Sequence, residues 1–452
     1  MVVWLIETSM PTLVNRIPRH LLVAASAWGS RVITAVAGLL SIRLLLRTLG
    51  EEQYALFAVL SGLQGWYMLS DAGLGVSLQN YISELRARDR AYDSFVSTAV
   101  FIMLLLFSFN AIALYLVSPW LTALVLKGFP AIGGAEKVQA FFWVGILLLL
   151  TCFAGIVYKI WYAEQKGYLA NLVPAIASVM SLVGVVIVEN LGIEKKLLWD
   201  VIAMFSPQAL LPLLVLLNQS YKNYQEWPDV PIDIIKKLLK RAGKFFFFSV
   251  MAAGVLQIDY VMMSQFLQPH DIVIYNIATK IFSLVFFIYS AILSALWPVC
   301  SEAIALNLWD SVTNYLKKYI CIGVGIVITA TLILMVCMPQ VVHLISPQKG
   351  YAIPVLFVVL LGAYYIVRVW TDSLATVLMS MSYLRPLWLL VPVQALLSAL
   401  LQWFFIPRLG VYGVVIGITA SFLLTVSWGL PLAYLRRAKR HLAMAQPLTE
   451  DP

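Results

Sequence analysis

Apolar runs of about twenty residues or more alternate with short polar breaks along the whole chain. A helix rises about 1.5 Å per residue, so each run is long enough to cross roughly 30 Å of hydrocarbon. The pattern predicts an all-α integral membrane protein with about twelve spans, near residues 21–46, 54–81, 95–118, 139–161, 169–188, 197–218, 244–266, 272–299, 316–338, 352–379, 386–406 and 411–435. An even number places both termini on one side, and the spans leave no stretch for a separate soluble domain.

The two halves of this pattern look alike. "LGEEQYALFAVLSGL" at the start of the second span lines up with "LQPHDIVIYNIATKI" in the eighth, and Ser83-Glu84 matches Ser301-Glu302 at the same offset of 218 residues. Two six-helix bundles of parallel topology are expected, residues 1–218 and 244–452, the second ending in a basic tail. Between them, residues 219–243 form a hydrophilic linker. Its second part puts Ile232, Ile235, Leu238, Leu239 and Ala242 on one helical face, against lysines and Arg241 on the other. Two readings are open: a helix lying on the anionic inner leaflet, with membrane lipids as partners, or a basic stop before the seventh span.

Composition narrows the function. The chain is 62% hydrophobic and 12% charged, with a mean hydropathy of +0.89, whereas a soluble domain is about a quarter charged. The start, "MVVWLIETSMPTLVNRIPRH", has only a short apolar patch followed by prolines and basic residues, so no cleaved signal peptide is expected. Cys152, Cys300, Cys321 and Cys337 all fall in apolar runs without metal-ligand spacing, which suits packing. No cofactor is expected. Of the 31 lysines and arginines, 20 fall on the side of the N-terminus and 7 on the other, so both termini are expected in the cytoplasm. This asymmetry accounts for most of the net charge of +9 without any nucleic acid.

Charges inside spans carry the candidate chemistry, because an ionisable group in hydrocarbon costs at least about 2.5–3.5 kcal/mol and so faces water or a partner. Seven need explaining: Arg31, Arg43, Asp71, Asp259, Lys280, Arg368 and Asp372. In "GWYMLSDAGLGVSLQNYISELRARDR", Asp71 is expected to share a helical face with Gln64, Tyr67 and Gly75, with Gly73 and Gly75 thinning its end. Asp71 then either serves gating or simply bonds a neighbouring helix. Lys280 has Asn276 one turn before it and Ser283 one turn after. Arg31 sits in the first span beside Thr34 and Gly38 on its own face. One cation from each half suggests an anionic ligand, with snorkelling as the alternative for Lys280. Arg368 and Asp372, four residues apart, can neutralise each other, with Tyr364 and Thr376 extending their stripe. Asp259 reads as an isolated acid, suited to coupling a proton gradient to a conformational change. The histidines His20, His270, His343 and His441 are expected in loops or tails, and no phosphate loop or nucleophile arrangement is present. Transport, if it occurs, has to draw on an ion gradient, the membrane potential or a partner enzyme.

The segment "LGEEQYALFAVLSGL", the "SDAGLGVSLQNYISE" that follows, the second-half "VIYNIATKI" and the twelve-span length resemble the polysaccharide exporters of the multidrug/oligosaccharidyl-lipid/polysaccharide (MOP) superfamily, and among them the Wzx-type O-antigen flippases. The resemblance implies a V-shaped pair of six-helix bundles around a central cavity in the inner membrane. It implies movement of undecaprenyl-pyrophosphate-linked sugar repeat units between leaflets, with a polysaccharide polymerase and a chain-length regulator as partners. Relatives that flip lipid II carry cavity arginines in the first and eighth helices. Arg31 matches by position, and Lys280 replaces the second arginine, keeping a point charge and losing the bidentate fork. The residues expected to bind substrate are Arg31, Lys280, Asn276 and Arg368; those expected to couple ions or gate are Asp71, Asp259, Asp372, Gly73 and Gly75. A cation-coupled multidrug exporter of the same superfamily, and a non-transporting membrane scaffold or membrane-embedded glycan-ligating enzyme, remain as alternatives.

Overall fold

The structure, a computed structural model, describes residues 19–86, 88–192, 196–223, 230–256, 258–306, 308–346, 351–381 and 383–445. Every regular element among them is helical. Ten stretches, from Trp28–Asp71 to Val411–Ala438, are long and apolar enough to cross a membrane. The first holds two of the expected spans. Its helix α1 (Arg19–Gly62) bends at Gly50, whose φ of 72° and ψ of −174° leave the helical range. Unbent, 44 residues would extend about 66 Å, twice a bilayer core. The expected seventh span, 244–266, falls across the end of α9 (Ile232–Leu256) and α10 (Ile258–Phe266).

The chain forms two compact units, residues 1–250 and 251–452. In the first, α1 packs along α7 (Gly167–Leu191), while α8 (Lys196–Asn223) packs on α7 and on α5 (Gly134–Ala154). Helix α4 (Asp93–Val125) turns Ser97, Thr98, Ala99, Ser118 and Thr122 inward and leaves Phe109, Leu116 and Trp120 exposed. That is the inverse of a soluble helix. Lipid is as apolar as leucine, so close contact between small residues, rather than escape from water, holds such helices together. Hydroxyls at depth are satisfied locally, as where Thr98 Oγ1 donates to the Ser94 carbonyl at 2.6 Å and Thr151 Oγ1 to the Leu147 carbonyl at 2.8 Å.

The second span departs from the expected continuous helix. After α1 the chain makes one turn, α2 (Gln64–Tyr67), then a 3-10 turn over Met68–Asp71, passes Ala72 and Gly73 in left-handed conformation, and restarts as α3 (Leu74–Arg86). The face Gln64–Tyr67–Asp71–Gly75 therefore does not exist as one stripe: Gln64 is exposed, whereas Tyr67 packs beside Gly145 of α5. Helix α3 buries Leu74, Leu78 and Ile82, four residues apart, against Ile102, Met103, Ile156 and Ile160.

The basic segment expected as a linker helix forms the first half of α9 and joins this same core. Leu238 and Ala242 are buried in it, with Ile234 and Ile235 alongside, while Ile232 and Leu239 of the expected apolar face stay exposed. Ser77 Oγ donates to the Leu238 carbonyl at 3.2 Å, Tyr81 to the Lys237 carbonyl at 3.4 Å, and Arg241 Nη2 meets Glu84 Oε1 at 2.5 Å. Gly73 makes this approach possible. Its φ of 76° suits glycine, and a Cβ there would lie 2.5 Å from the Ala242 carbonyl oxygen and 2.8 Å from the Phe246 nitrogen.

In the second unit, α11 (Pro269–Ala305) packs on α12 (Trp309–Ile345) and α13 (Val355–Ser380), and α14 (Arg385–Leu409) on α10, α15 (Val411–Leu424) and α16 (Val426–Ala445). The four histidines, expected in loops or tails, lie within the ends of helices α1, α11, α12 and α16.

Candidate functional site

In the first unit the break after α2 sets the geometry of Asp71. Its Oδ1 accepts from the Gly73 amide at 2.8 Å and its Oδ2 from the Gly75 amide at 3.3 Å, so the carboxylate caps the first turn of α3. Asp71, Gly73 and Gly75 thus form one turn. Lys159, counted by sequence among the cytoplasmic cations, lies in α6 (Ile156–Ala163) beside this turn: a Cβ on Gly75 would sit 3.2 Å from its Cγ and 3.1 Å from Asp71 Oδ2.

Arg31 is half-buried on α1 and acts electrostatically on Tyr162 of α6. The Tyr162 hydroxyl donates to Asn171 Oδ1 at 2.8 Å, and Asn171 Nδ2 donates to Ser26 Oγ at 3.2 Å. Arg43 is exposed. Asp200, not singled out among the in-span charges, is fully buried in α8: Thr48 Oγ1 donates to its Oδ2 at 3.3 Å, and its Oδ1 makes no hydrogen bond.

In the second unit Asp259 is not isolated. The Tyr275 hydroxyl of α11 donates to its Oδ2, and the Tyr260 amide to its Oδ1 at 3.0 Å. Asn276 Nδ2 donates to the Tyr260 hydroxyl at 2.7 Å, and the Tyr260 and Tyr275 rings meet edge to face at 5.8 Å. Asn276 is buried in this cluster, whereas Lys280, one turn on, lies on the exposed side of α11. The structure therefore separates two residues expected on one stripe. Lys280 has no ion-pair partner among the described residues.

Arg368 and Asp372 do pair, at 3.2 Å between Nη2 and Oδ2. The Arg368 guanidinium lies 4.4 Å from the centre of the Phe286 ring, and its Nε makes no hydrogen bond. Thr376 Oγ1 donates to the Asp372 carbonyl at 2.8 Å. Tyr364 feels Asp259 as well as Arg368 and Asp372, so one phenol lies within the field of both groups. The second unit thus gathers Asp259, Asn276, Arg368 and Asp372 around tyrosines of α10, α11 and α13. Buried acids in such a network have two discrete states to exchange: hydrogen-bonded as carboxylates, or protonated as donors.

The model of the family described as polysaccharide biosynthesis protein matches residues 24–304. A candidate O-antigen export protein of Yersinia pseudotuberculosis is 38% identical over 421 residues, covering 93% of this chain and 96% of its own. By fold, the chain is similar to a multidrug resistance MATE family transporter of the MOP superfamily in an inward-facing conformation, with a TM-score of 0.77 at 15% identity, over 94% of this chain and 100% of that one. It is also similar to the lipid II flippase MurJ in an inward closed conformation, with a TM-score of 0.71 at 13% identity, over 92% and 91% of the two chains. These two likenesses establish the fold. The chain is a multi-pass membrane protein of that fold, and it belongs to the polysaccharide biosynthesis protein family.

Proposed function

We propose that the chain is a transporter, not an enzyme: a flippase that carries undecaprenyl-pyrophosphate-linked oligosaccharide repeat units from the cytoplasmic to the periplasmic leaflet of the bacterial inner membrane by alternating access. The observation that carries this reading is the match to an O-antigen export protein, 38% identical over 93% of this chain and 96% of the relative. The physical problem is consistent with the residues present. The lipid tail can stay in the bilayer, but a diphosphate leaving water meets a desolvation penalty of several kcal/mol unless cations receive it. Arg31 in the first unit and Lys280 in the second supply such cations, with Asn276 and Arg368 as further polar contacts of the second unit.

Energy for the cycle is assigned to an ion gradient. Asp259 and Asp372 are the coupling acids, and Asp71 with Gly73 and Gly75 is the gating element, because a capped, interrupted helix can change its bend without losing backbone hydrogen bonds. A polysaccharide polymerase and a chain-length regulator would act on the product at the outer leaflet. The test is deletion of the gene followed by complementation, with the lipopolysaccharide ladder on gels as the readout. The wild-type chain should restore O-antigen. If it does not, and instead confers resistance to cationic drugs, the multidrug-exporter reading replaces this one.

A further inference from the structure

A polar recess of about 680 Å³ opens at the end of the first unit, where α3 gives way to α4. Arg86, Asp89, Arg90, Tyr92, Tyr162 and Gln165 line it. Its walls are two helix exits built alike. Past α3 the chain turns through Asp89 at a φ of 52°, and the Arg90 amide donates to the carbonyl of Leu85, five residues back, at 2.9 Å. Past α6 it turns through Gln165 at a φ of 59°, and the Lys166 amide donates to the Trp161 carbonyl, also five back, at 2.8 Å. Both are helix-closing turns in which a side-chain-bearing residue takes the left-handed position that glycine usually fills.

The two exits are tied together. Arg86 Nη1 donates to the Ala163 carbonyl at 2.6 Å, and the Tyr92 hydroxyl donates to Glu164 Oε1 at 2.9 Å. Arg90 makes no side-chain hydrogen bond or ion pair among the described residues, so its fork is available to a ligand. Tyr162 forms part of the recess wall and is also the tyrosine on which Arg31 acts, so the recess and Arg31 share a side chain.

The volume suits a small ligand, but the lining is guanidinium, phenol, amide and carboxylate, where a drug site is mostly apolar. Arginine forks match phosphate oxygens, and Asp89 and Gln165 accept from hydroxyls. We propose that this recess is a receiving site for the diphosphate and first sugars of the lipid-linked substrate, occupied before the diphosphate reaches Arg31. The assignment rests on the transport reading. It gives Arg86 and Arg90, two of the three arginines that close "ISELRARDR", a task beyond orienting the chain in the membrane.

Full-length protein in detergent would be titrated calorimetrically with inorganic pyrophosphate. Arg90→Ala should weaken binding at least about tenfold, the loss expected for one charge-assisted contact, with an unchanged melting temperature. Arg90→Lys should retain part of the affinity, since the charge stays and only the fork is lost. Absence of pyrophosphate binding by the wild type, or equal binding by Arg90→Ala, overturns the proposal. A bilayer phospholipid could offer the same phosphate chemistry; competition by dihexanoyl phosphatidylglycerol as strong as that of pyrophosphate would make the recess a general headgroup site and overturn the substrate assignment. Failure of the wild-type gene to restore O-antigen would sink the transport reading instead, and the titration would still show whether the recess binds a diphosphate.

Discussion

Tyr275 of α11 donates its hydroxyl to Oδ2 of Asp259 in α10, so the buried carboxylate of the second unit is tied to a phenol on the next helix. Asparagine has the same shape as aspartate and its amide oxygen can still accept from Tyr275, but it carries neither charge nor a transferable proton. Asp259→Asn should therefore stay in the membrane at normal levels while lowering O-antigen export at least about tenfold, the equivalent of about 1.4 kcal/mol. Tyr275→Phe should cost about 1.5–3 kcal/mol of stability, as expected for a hydrogen bond to a charged group. Export by Asp259→Asn at the wild-type rate would take this acid out of the coupling mechanism.

Gly73 and Gly75 lie two residues apart and should respond very differently to alanine. At Gly73 the backbone is left-handed, and a Cβ would collide with the main chain of α9 at Ala242 and Phe246, neither of which can rotate away. At Gly75 the neighbours are side-chain atoms, Asp71 Oδ2 at 3.1 Å and Lys159 Cγ at 3.2 Å, and no backbone. Gly73→Ala should lower stability by about 3 kcal/mol or more, combining left-handed strain with overpacking. Gly75→Ala should cost under about 1.5 kcal/mol. Melting curves of the detergent-solubilised variants decide between these values, and equal losses would contradict the packing of α3 on α9.

The Arg241–Glu84 pair gives a pH signature at the same contact. The Arg241 hydrogen bond holds the Glu84 carboxyl below its ordinary value of 4.5. Since the folded-state value is the lower one, the pair stabilises the fold above about pH 4.5, and that contribution disappears as pH falls through the folded value. Glu84 is half exposed, so screening keeps the effect under about 1 kcal/mol. Glu84→Gln should melt slightly below the wild type at pH 7 and together with it once pH drops well beneath 4.5. A difference that persists in acid would mean Glu84 acts through packing.

The uneven reach of sequence reasoning follows from the range of each interaction. Arg368 and Asp372 are four residues apart on one helix, so periodicity alone predicts their pairing, and it holds at 3.2 Å. The same arithmetic puts Asp71 on a stripe with Gln64, Tyr67 and Gly75 only if the helix is unbroken. The turn at Ala72 and Gly73 invalidates that assumption, although an aspartate two residues before a glycine is itself a turn signal. Asp259 and Tyr275 are 16 residues apart on different helices, and nothing local links them. Asp200 was legible in principle as an acid inside an apolar run. Its partner Thr48 lies 152 residues away, so its burial was not. The spans themselves were legible because lipid contact imposes long apolar runs whatever the helices pack against.

Orientation rests on the excess of lysine and arginine on the N-terminal side of the spans, 20 against 7. Reporter fusions after residues 90 and 244 should give cytoplasmic activity, and fusions near Lys195 should give periplasmic activity. A periplasmic signal at 244 would reverse the assignment of α9 and move the arginines of the recess to the wrong side for receiving a cytoplasmic substrate.

The charges assigned to the diphosphate provide the sharpest test of function. Arg31 belongs to the first unit and Lys280 to the second, and Lys280 has no ion-pair partner among the described residues. A cation kept inside a span without an acid costs at least about 2.5 kcal/mol, a cost that selection tolerates where an anion has to be received. Arg31→Ala should abolish export with protein levels preserved, because a diphosphate losing its counter-charge at low dielectric faces several kcal/mol of uncompensated desolvation. Lys280→Arg should export normally, since the charge remains and a fork is added. Lys280→Glu should be inactive, because like charge repels the substrate where opposite charge attracted it. The readout is the lipopolysaccharide ladder of a deletion strain carrying each variant, with membrane immunoblots as the control. If Arg31→Ala and Lys280→Glu both export normally, these cations do not receive an anion, and the drug-exporter reading becomes the better account of the chain.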